Sequence, residues 1–77
     1  MYNDTIYKTI ITNLENKAIN LVNTTIALSS QGYAIDKSKQ IILDWTNIML
    51  HAFKNIDTFD DNQKQNIELL YNKLSTI

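Results

Sequence analysis

Apolar side chains recur at alternating spacings of four and three through the first thirty residues. The series is Tyr7, Ile11, Leu14, Ala18, Leu21, Thr25 and Leu28. Because a helix advances by about 100° per residue, this spacing keeps one side apolar and predicts a helix packed along another helix. Asn3 or Asp4 can cap its first N–H groups, so we predict a helix from about residue 4 to 30, roughly 40 Å long.

The segment SSQGYAIDKS interrupts the apolar pattern and predicts a turn. Gly32 suits the left-handed position just past a helix end, and Asp36 can cap the helix that follows. The second helix is predicted from about residue 37 to 56. Because the connection is short, the first two helices should form an antiparallel hairpin.

A third helix is predicted from about residue 61 to 75. Asp60 and Gln63 stand in the spacing of a capping box at its start. Its apolar face comprises Ile67, Leu70, Tyr71, Leu74 and Ile77. The predicted fold is therefore all-α, a single domain over residues 1–77. It combines a long antiparallel helical hairpin with a shorter third helix in a three-helix bundle, which can dimerise into a larger bundle.

The second helix is apolar over more than half of its circumference. An arc of roughly 140° is predicted to form the core. It comprises Ile41, Ile42, Trp45, Ile48, Met49, Ala52, Phe53 and Ile56. Leu43 and Leu50 lie about 60° to 80° beyond Phe53, outside what a simple bundle needs to bury.

The first helix carries a similar surplus, because Ile19 and Ile26 flank its main stripe. Two interpretations stay open: the third helix covers these residues, or they form a homodimer seam or a docking surface for another protein. On the second interpretation, the predicted interface residues are Ile19, Ile26, Leu43, Leu50 and Phe53.

Composition narrows the classes of function. The 77 residues contain no Cys and a single His, His51, so neither disulfides nor a zinc site built on several Cys and His ligands can stabilise the small core. The formal charge is −1 and there is no Arg, which disfavours nucleic acid as a partner. The abundance of Ile, Asn and Lys is typical of AT-rich codons and suggests a bacterial source or one of its mobile elements.

The chain shows no signal-peptide pattern and no run of about 20 apolar residues, so we expect a cytoplasmic protein without a membrane span. Catalytic motifs are absent from the sequence. His51 and Asp44 lie seven residues apart on one helix, about 10 Å, which is too far for a shared proton or metal. We therefore predict no enzyme activity, no catalytic residue, no cofactor and no metal site.

Three functions remain compatible with the sequence. The first is a non-enzymatic protein–protein interaction module, such as an inhibitor, an immunity factor or a chaperone, whose partner is another protein or a second copy. The second is a small DNA-binding regulator that would use Lys37, Lys39 and Lys54 against phosphates. The third is a structural subunit of a larger helical assembly.

Overall fold

Three helices pack against one another in the computed structural model, which describes residues 4–56 and 59–77. They are α1 (Asp4–Ser30), α2 (Asp36–Phe53) and α3 (Asp61–Ser75), and no strand occurs in the described ranges. The principal extents are 49 × 19 × 16 Å, so the helices lie along one long axis. The predicted all-α fold, a long hairpin with a shorter third helix, is confirmed.

The turn between α1 and α2 is a Schellman motif built on Gly32. Its φ angle is 91°, in the left-handed region where L side chains are strained. The Tyr33 N–H donates to the Leu28 carbonyl at 3.1 Å, and the Gly32 N–H donates to the Ser29 carbonyl at 3.0 Å. These two bonds satisfy carbonyls that the helix end leaves free. The predicted role of Gly32 is therefore confirmed.

Helix α2 begins at Asp36, one residue earlier than predicted, and Asp36 is not its cap. Ile35 occupies the cap position, and no side chain there accepts a hydrogen bond. The Ile35 carbonyl instead accepts from the Lys39 N–H at 2.7 Å and from the Ser38 hydroxyl at 3.1 Å. Ile35 itself is buried, which favours an apolar residue at this position over a polar cap.

Helix α2 also ends earlier than predicted, at Phe53 and not at Ile56. Two turns with hydrogen bonds between residues three apart follow the helix. The N–H of Ile56 donates to the Phe53 carbonyl and the N–H of Phe59 donates to the Ile56 carbonyl, both at 2.9 Å. The turn brings the ring of Phe59 edge-on to that of Phe53, with centroids 5.4 Å apart. The shorter helix therefore lets the half-buried Phe59 ring pack on Phe53.

One of the two hydrogen bonds of the predicted capping box forms at the start of α3. Asp60 is the N-cap, and its Oδ1 accepts from the Gln63 N–H at 2.8 Å. The Gln63 side chain does not return to the cap; its Nε2 donates to the Thr12 hydroxyl of α1 at 3.4 Å. Gln63 therefore links α3 to α1. The predicted cap of α1 at Asn3 lies outside the described residues.

The core consists of two clusters, each with side chains from all three helices. The lower cluster comprises Ile11, Met49, Phe53 and Ile67, with Leu14, Trp45, Leu50, Ile56 and Phe59 packed against it. The upper cluster, nearer the hairpin turn, comprises Val22, Ile42, Leu43 and Leu74, with Ile26, Leu70 and Tyr71 packed against it. The two clusters together fix how α1 and α2 are aligned along their lengths.

Polar side chains also lie within the buried stripes. Thr46 is fully buried, and its hydroxyl donates to the Leu43 carbonyl at 3.0 Å. Thr25 donates in the same way to the Leu21 carbonyl at 2.8 Å. Glu15 is only 9 % exposed, and its Oε2 is buried with no hydrogen-bond partner among the described residues. A carboxylate in this setting costs folding free energy.

Candidate functional site: an apolar face on the helical hairpin

Helix α2 turns a different side to the core than its sequence predicts. Ile41 and Ile48 are 68 % and 63 % exposed, whereas Leu43 is 9 % exposed. The prediction that Ile41, Ile48 and Ala52 lie in the core is therefore wrong. The reason is the position of α3, which packs on the side of α2 that carries Leu43 and Leu50 and so draws that side inward.

The five residues predicted as an interface lie mostly inside the bundle. Leu43 and Phe53 belong to the upper and lower clusters and are each 9 % exposed. Leu50 and Ile26 are half-buried and pack against those clusters, and Ile19 is half-buried on α1. Contacts within the chain thus account for most of their apolar surface. Contact of their remaining surface with a partner stays a prediction.

Exposed aliphatic side chains form a strip along α1. Its members and their exposed fractions are Ile6 (55 %), Ile10 (47 %), Leu21 (37 %) and Leu28 (39 %). At about 100° per residue these positions fall within an arc of roughly 60°, adjacent to the buried stripe. The half-buried Leu14 lies at the edge of the strip. The strip therefore follows most of the length of α1, with Leu14 between Ile10 and Leu21.

A second strip runs along α2. Ile41 and Ile48 form it together with the exposed Ala52 and the half-buried Trp45. Their spacings of four, three and four residues place them on one side of the helix. Trp45 forms the core side of the strip and packs against the lower cluster. The strip therefore continues the core outward to the surface.

Hydrogen bonds to α3 show which side of each helix faces it. On α1, the Thr12 hydroxyl accepts from Gln63 and the Asn23 side chain accepts from Lys73. On α2, the Lys39 ammonium donates to the Ile77 carbonyl at 3.2 Å. On α1 the apolar strip lies across the buried stripe from these bonds, and on α2 it lies about 160° to 180° around the helix from Lys39.

The two strips therefore border the α1–α2 seam on the side turned away from α3. We call this surface the hairpin face. It comprises Ile6, Ile10, Leu21, Leu28, Ile41 and Ile48.

The hairpin face is large and carries little charge. At about 200 Å² for a fully exposed Ile or Leu, the six residues present roughly 600 Å² to solvent, at the upper end of the largest patch on a typical monomer. Lys17 lies within the α1 strip, Lys37 and Asp44 lie at the margin of the α2 strip, and all three are exposed. Exposed apolar area, and not charge, is the dominant property of this surface.

An open pocket of about 550 Å³ adjoins the hairpin face at the turn end of α2. It is lined by Ala34, Asp36, Lys37, Ser38 and Ile41. Since Ile41 belongs to both, a side chain that enters the pocket can also contact the hairpin face. A smaller pocket of about 200 Å³ lies between α2 and α3, beside Leu50 and Tyr71.

Polar groups that could support chemistry are dispersed. The His51 Nδ1 lies 2.9 Å from the Asn47 carbonyl, and Asp44 accepts from the Gln40 side chain at 2.9 Å. His51 and Asp44 therefore each interact with a different residue of α2. Within residues 4–56 and 59–77 no three His, Asp or Glu side chains are grouped so that they could hold a metal ion.

Two of the lysines considered for DNA contact, Lys37 and Lys39, do not form one patch on α2. Lys37 and Lys39 are two residues apart and so point to sides of the helix about 200° apart. Lys37 is exposed at the rim of the pocket at the turn end of α2. Lys39 is half-buried, and its ammonium group donates a hydrogen bond to the carbonyl of Ile77, which follows α3.

Comparisons with known proteins give no information about this site. No family model matches the sequence, and neither a curated protein nor a solved structure is significantly similar to it. No helix in the described part of the chain has both the length and the apolar character needed to cross a membrane.

Proposed function

We propose that this protein is a non-enzymatic protein–protein interaction module that binds its partner through the hairpin face. Inhibitors, immunity factors and chaperones of this size and kind act by covering a surface of another protein. The observation that carries the proposal is the position of Ile41 and Ile48, both more than 60 % exposed although the same helix has a complete buried stripe. Their exposure is not needed to form the bundle.

The chemical character of the face supports a protein as the partner. Aliphatic side chains arranged in two strips suit the apolar side of a helix, which binds in a groove through residues three and four positions apart. A phosphate backbone would require a row of cations, whereas the strips contain only Lys17, with Lys37 at the rim of the pocket.

Site-specific photo-cross-linking in cells of the native host tests this proposal. A photoreactive amino acid replaces Ile48 on the hairpin face or, as the matched control, Leu69, which is 64 % exposed on α3. We expect a discrete protein adduct from position 48 and none from position 69. No protein adduct from position 48, or the same adducts from both positions, would contradict the proposal.

A further inference from the structure

We infer that the occupant of the hairpin face is a second copy of this chain, so that two hairpins pair into a two-fold symmetric core of four helices. This inference rests on the proposed function, because it names the partner that the same face binds. Three features of the face support it: its area, the spacing of its strips and the placement of its charges.

The area of the face approaches what a stable dimer needs. Standard protein interfaces bury about 800 Å² per partner, and the six aliphatic residues of the hairpin face supply roughly 600 Å² of it. Ala52, which is exposed, and the half-buried Trp45 extend the same surface. A two-fold pairing buries this area on both copies at once, without a contribution from α3.

The strips have the spacing of helix–helix seams. On α1, Leu14, Leu21 and Leu28 are seven residues apart, and on α2, Ile41 and Ile48 are seven residues apart. Two strips at the same separation would match both strips of the hairpin face at once. A second hairpin has them by symmetry, and antiparallel hairpins that pair in this way form four-helix bundles.

The two core clusters show that Lys17 and Asp44 lie at similar heights. Val22 of α1 lies in the upper cluster with Ile42, and Ile11 of α1 lies in the lower cluster with Met49. Lys17 is between Ile11 and Val22 in α1, and Asp44 is between Ile42 and Met49 in α2. Both charges therefore lie between the clusters.

Charge selects one of the two ways in which the faces can pair. A two-fold axis parallel to the helices places α1 of each copy on α2 of the other, so each Lys17 comes to the height of Asp44 of the second copy. An axis across the helices would instead place α1 on α1 and bring the two Lys17 side chains together. The parallel axis gives two attractive pairs, and it also aligns Leu21 with Ile41 of the second copy.

Sedimentation across a wide protein concentration range tests the inference. The wild-type chain is expected to be a closed dimer that dissociates on dilution. Ile48→Lys should weaken the dimer by at least about tenfold, since it buries a cation in each half of the seam. Leu69→Lys, the matched control, should leave dimer affinity within about twofold of wild type. Because both positions are more than 60 % exposed, circular dichroism should show both variants folded.

A charge exchange tests the orientation. Lys17→Asp should weaken the dimer, because it faces Asp44 of the second copy, and the double variant Lys17→Asp with Asp44→Lys should regain most of the lost affinity. Since the chain contains no Cys, an orthogonal check is available: a mixture of Leu21→Cys and Ile41→Cys proteins should form a mixed disulfide faster than either forms one alone.

The outcomes separate this inference from the proposed function. A wild-type monomer at every concentration overturns the inference, and adducts of position 48 with a different protein would then keep the proposed function. A monomer whose position 48 forms no protein adduct overturns both. A dimer that Ile48→Lys leaves intact, or open-ended growth with concentration, overturns the assignment of the hairpin face as a two-fold seam. Failure of the charge exchange overturns the parallel axis.

Discussion

Replacing Leu43 and Ile41 separately by Ala tests which side of α2 faces the core. Both substitutions remove three carbons from a branched aliphatic side chain on the same helix. Leu43 is 9 % exposed in the upper cluster, whereas Ile41 is 68 % exposed. The two variants therefore differ mainly in the burial of the atoms removed.

The expected losses follow from that burial. At about 0.8 kcal/mol per buried CH₂, Leu43→Ala loses roughly 2 kcal/mol of transfer free energy, and the remaining cavity raises the loss to about 3 kcal/mol. Ile41→Ala loses about 0.8 kcal/mol on the same scale, partly offset by the better helix propensity of Ala, so its net cost should stay within about 0.5 kcal/mol. A domain of this size has only about 4 to 12 kcal/mol of stability, so the first loss is large.

Urea denaturation followed by circular dichroism measures both losses. The protein is kept dilute enough for sedimentation to show a monomer, because association would add a concentration-dependent contribution to stability. With a slope of about 1 kcal/mol per molar urea, Leu43→Ala should lower the midpoint by about 3 M and Ile41→Ala by less than about 0.5 M. Equal losses, or a larger loss for Ile41→Ala, would refute the assignment of the buried side of α2.

Three further stability predictions concern positions outside the hairpin face. Gly32→Ala should lower the free energy of unfolding by about 1 kcal/mol. Backbone strain alone would cause this loss, since an added Cβ meets no atom within 4 Å. A D-alanine at this position, made by chemical synthesis, should show no loss in the same denaturation assay. Glu15→Met should raise the melting temperature, gaining about 1 kcal/mol, because it removes a buried carboxylate oxygen without a partner; an unchanged or lower melting temperature would contradict this. Asp60→Ala should cost about 1 kcal/mol through loss of the N-cap bond to Gln63, whereas Asp60→Asn, which keeps an acceptor oxygen, should cost little in parallel melts.

The sequence predicts two element ends from local signals, whereas the local signal at Asp36 misleads because the buried Ile35 takes the cap position. Gly32 and Asp60 mark their turn and cap because the backbone geometry at a helix end depends on one or two residues. The end of α2 is less predictable, because it depends on Phe59, a residue beyond the helix, packing on Phe53. Local signals contain no information about that contact.

The orientation of α2 could not be predicted from periodicity. When apolar residues cover more than half of a helix, an arc centred near Trp45 and one centred near Thr46 fit the pattern about equally well. Thr46, which is polar, lies fully buried, and Ile48, which is apolar, lies exposed. The choice depends on where α3 packs. The sequence therefore predicts that α2 carries more apolar surface than the core needs. It does not predict which residues of α2 form that surplus.

The separation of α2 into two apolar sides has a consequence for how the protein can evolve. Leu43 and Leu50 stabilise the bundle, while Ile41 and Ile48, each two residues earlier, contribute little to it. On the proposed function, substitutions at the exposed pair can alter binding of a partner at little cost to folding, whereas substitutions at the inner pair are constrained by stability. A lineage that inherits this helix can therefore change its exposed side by single steps, each of which leaves a folded protein.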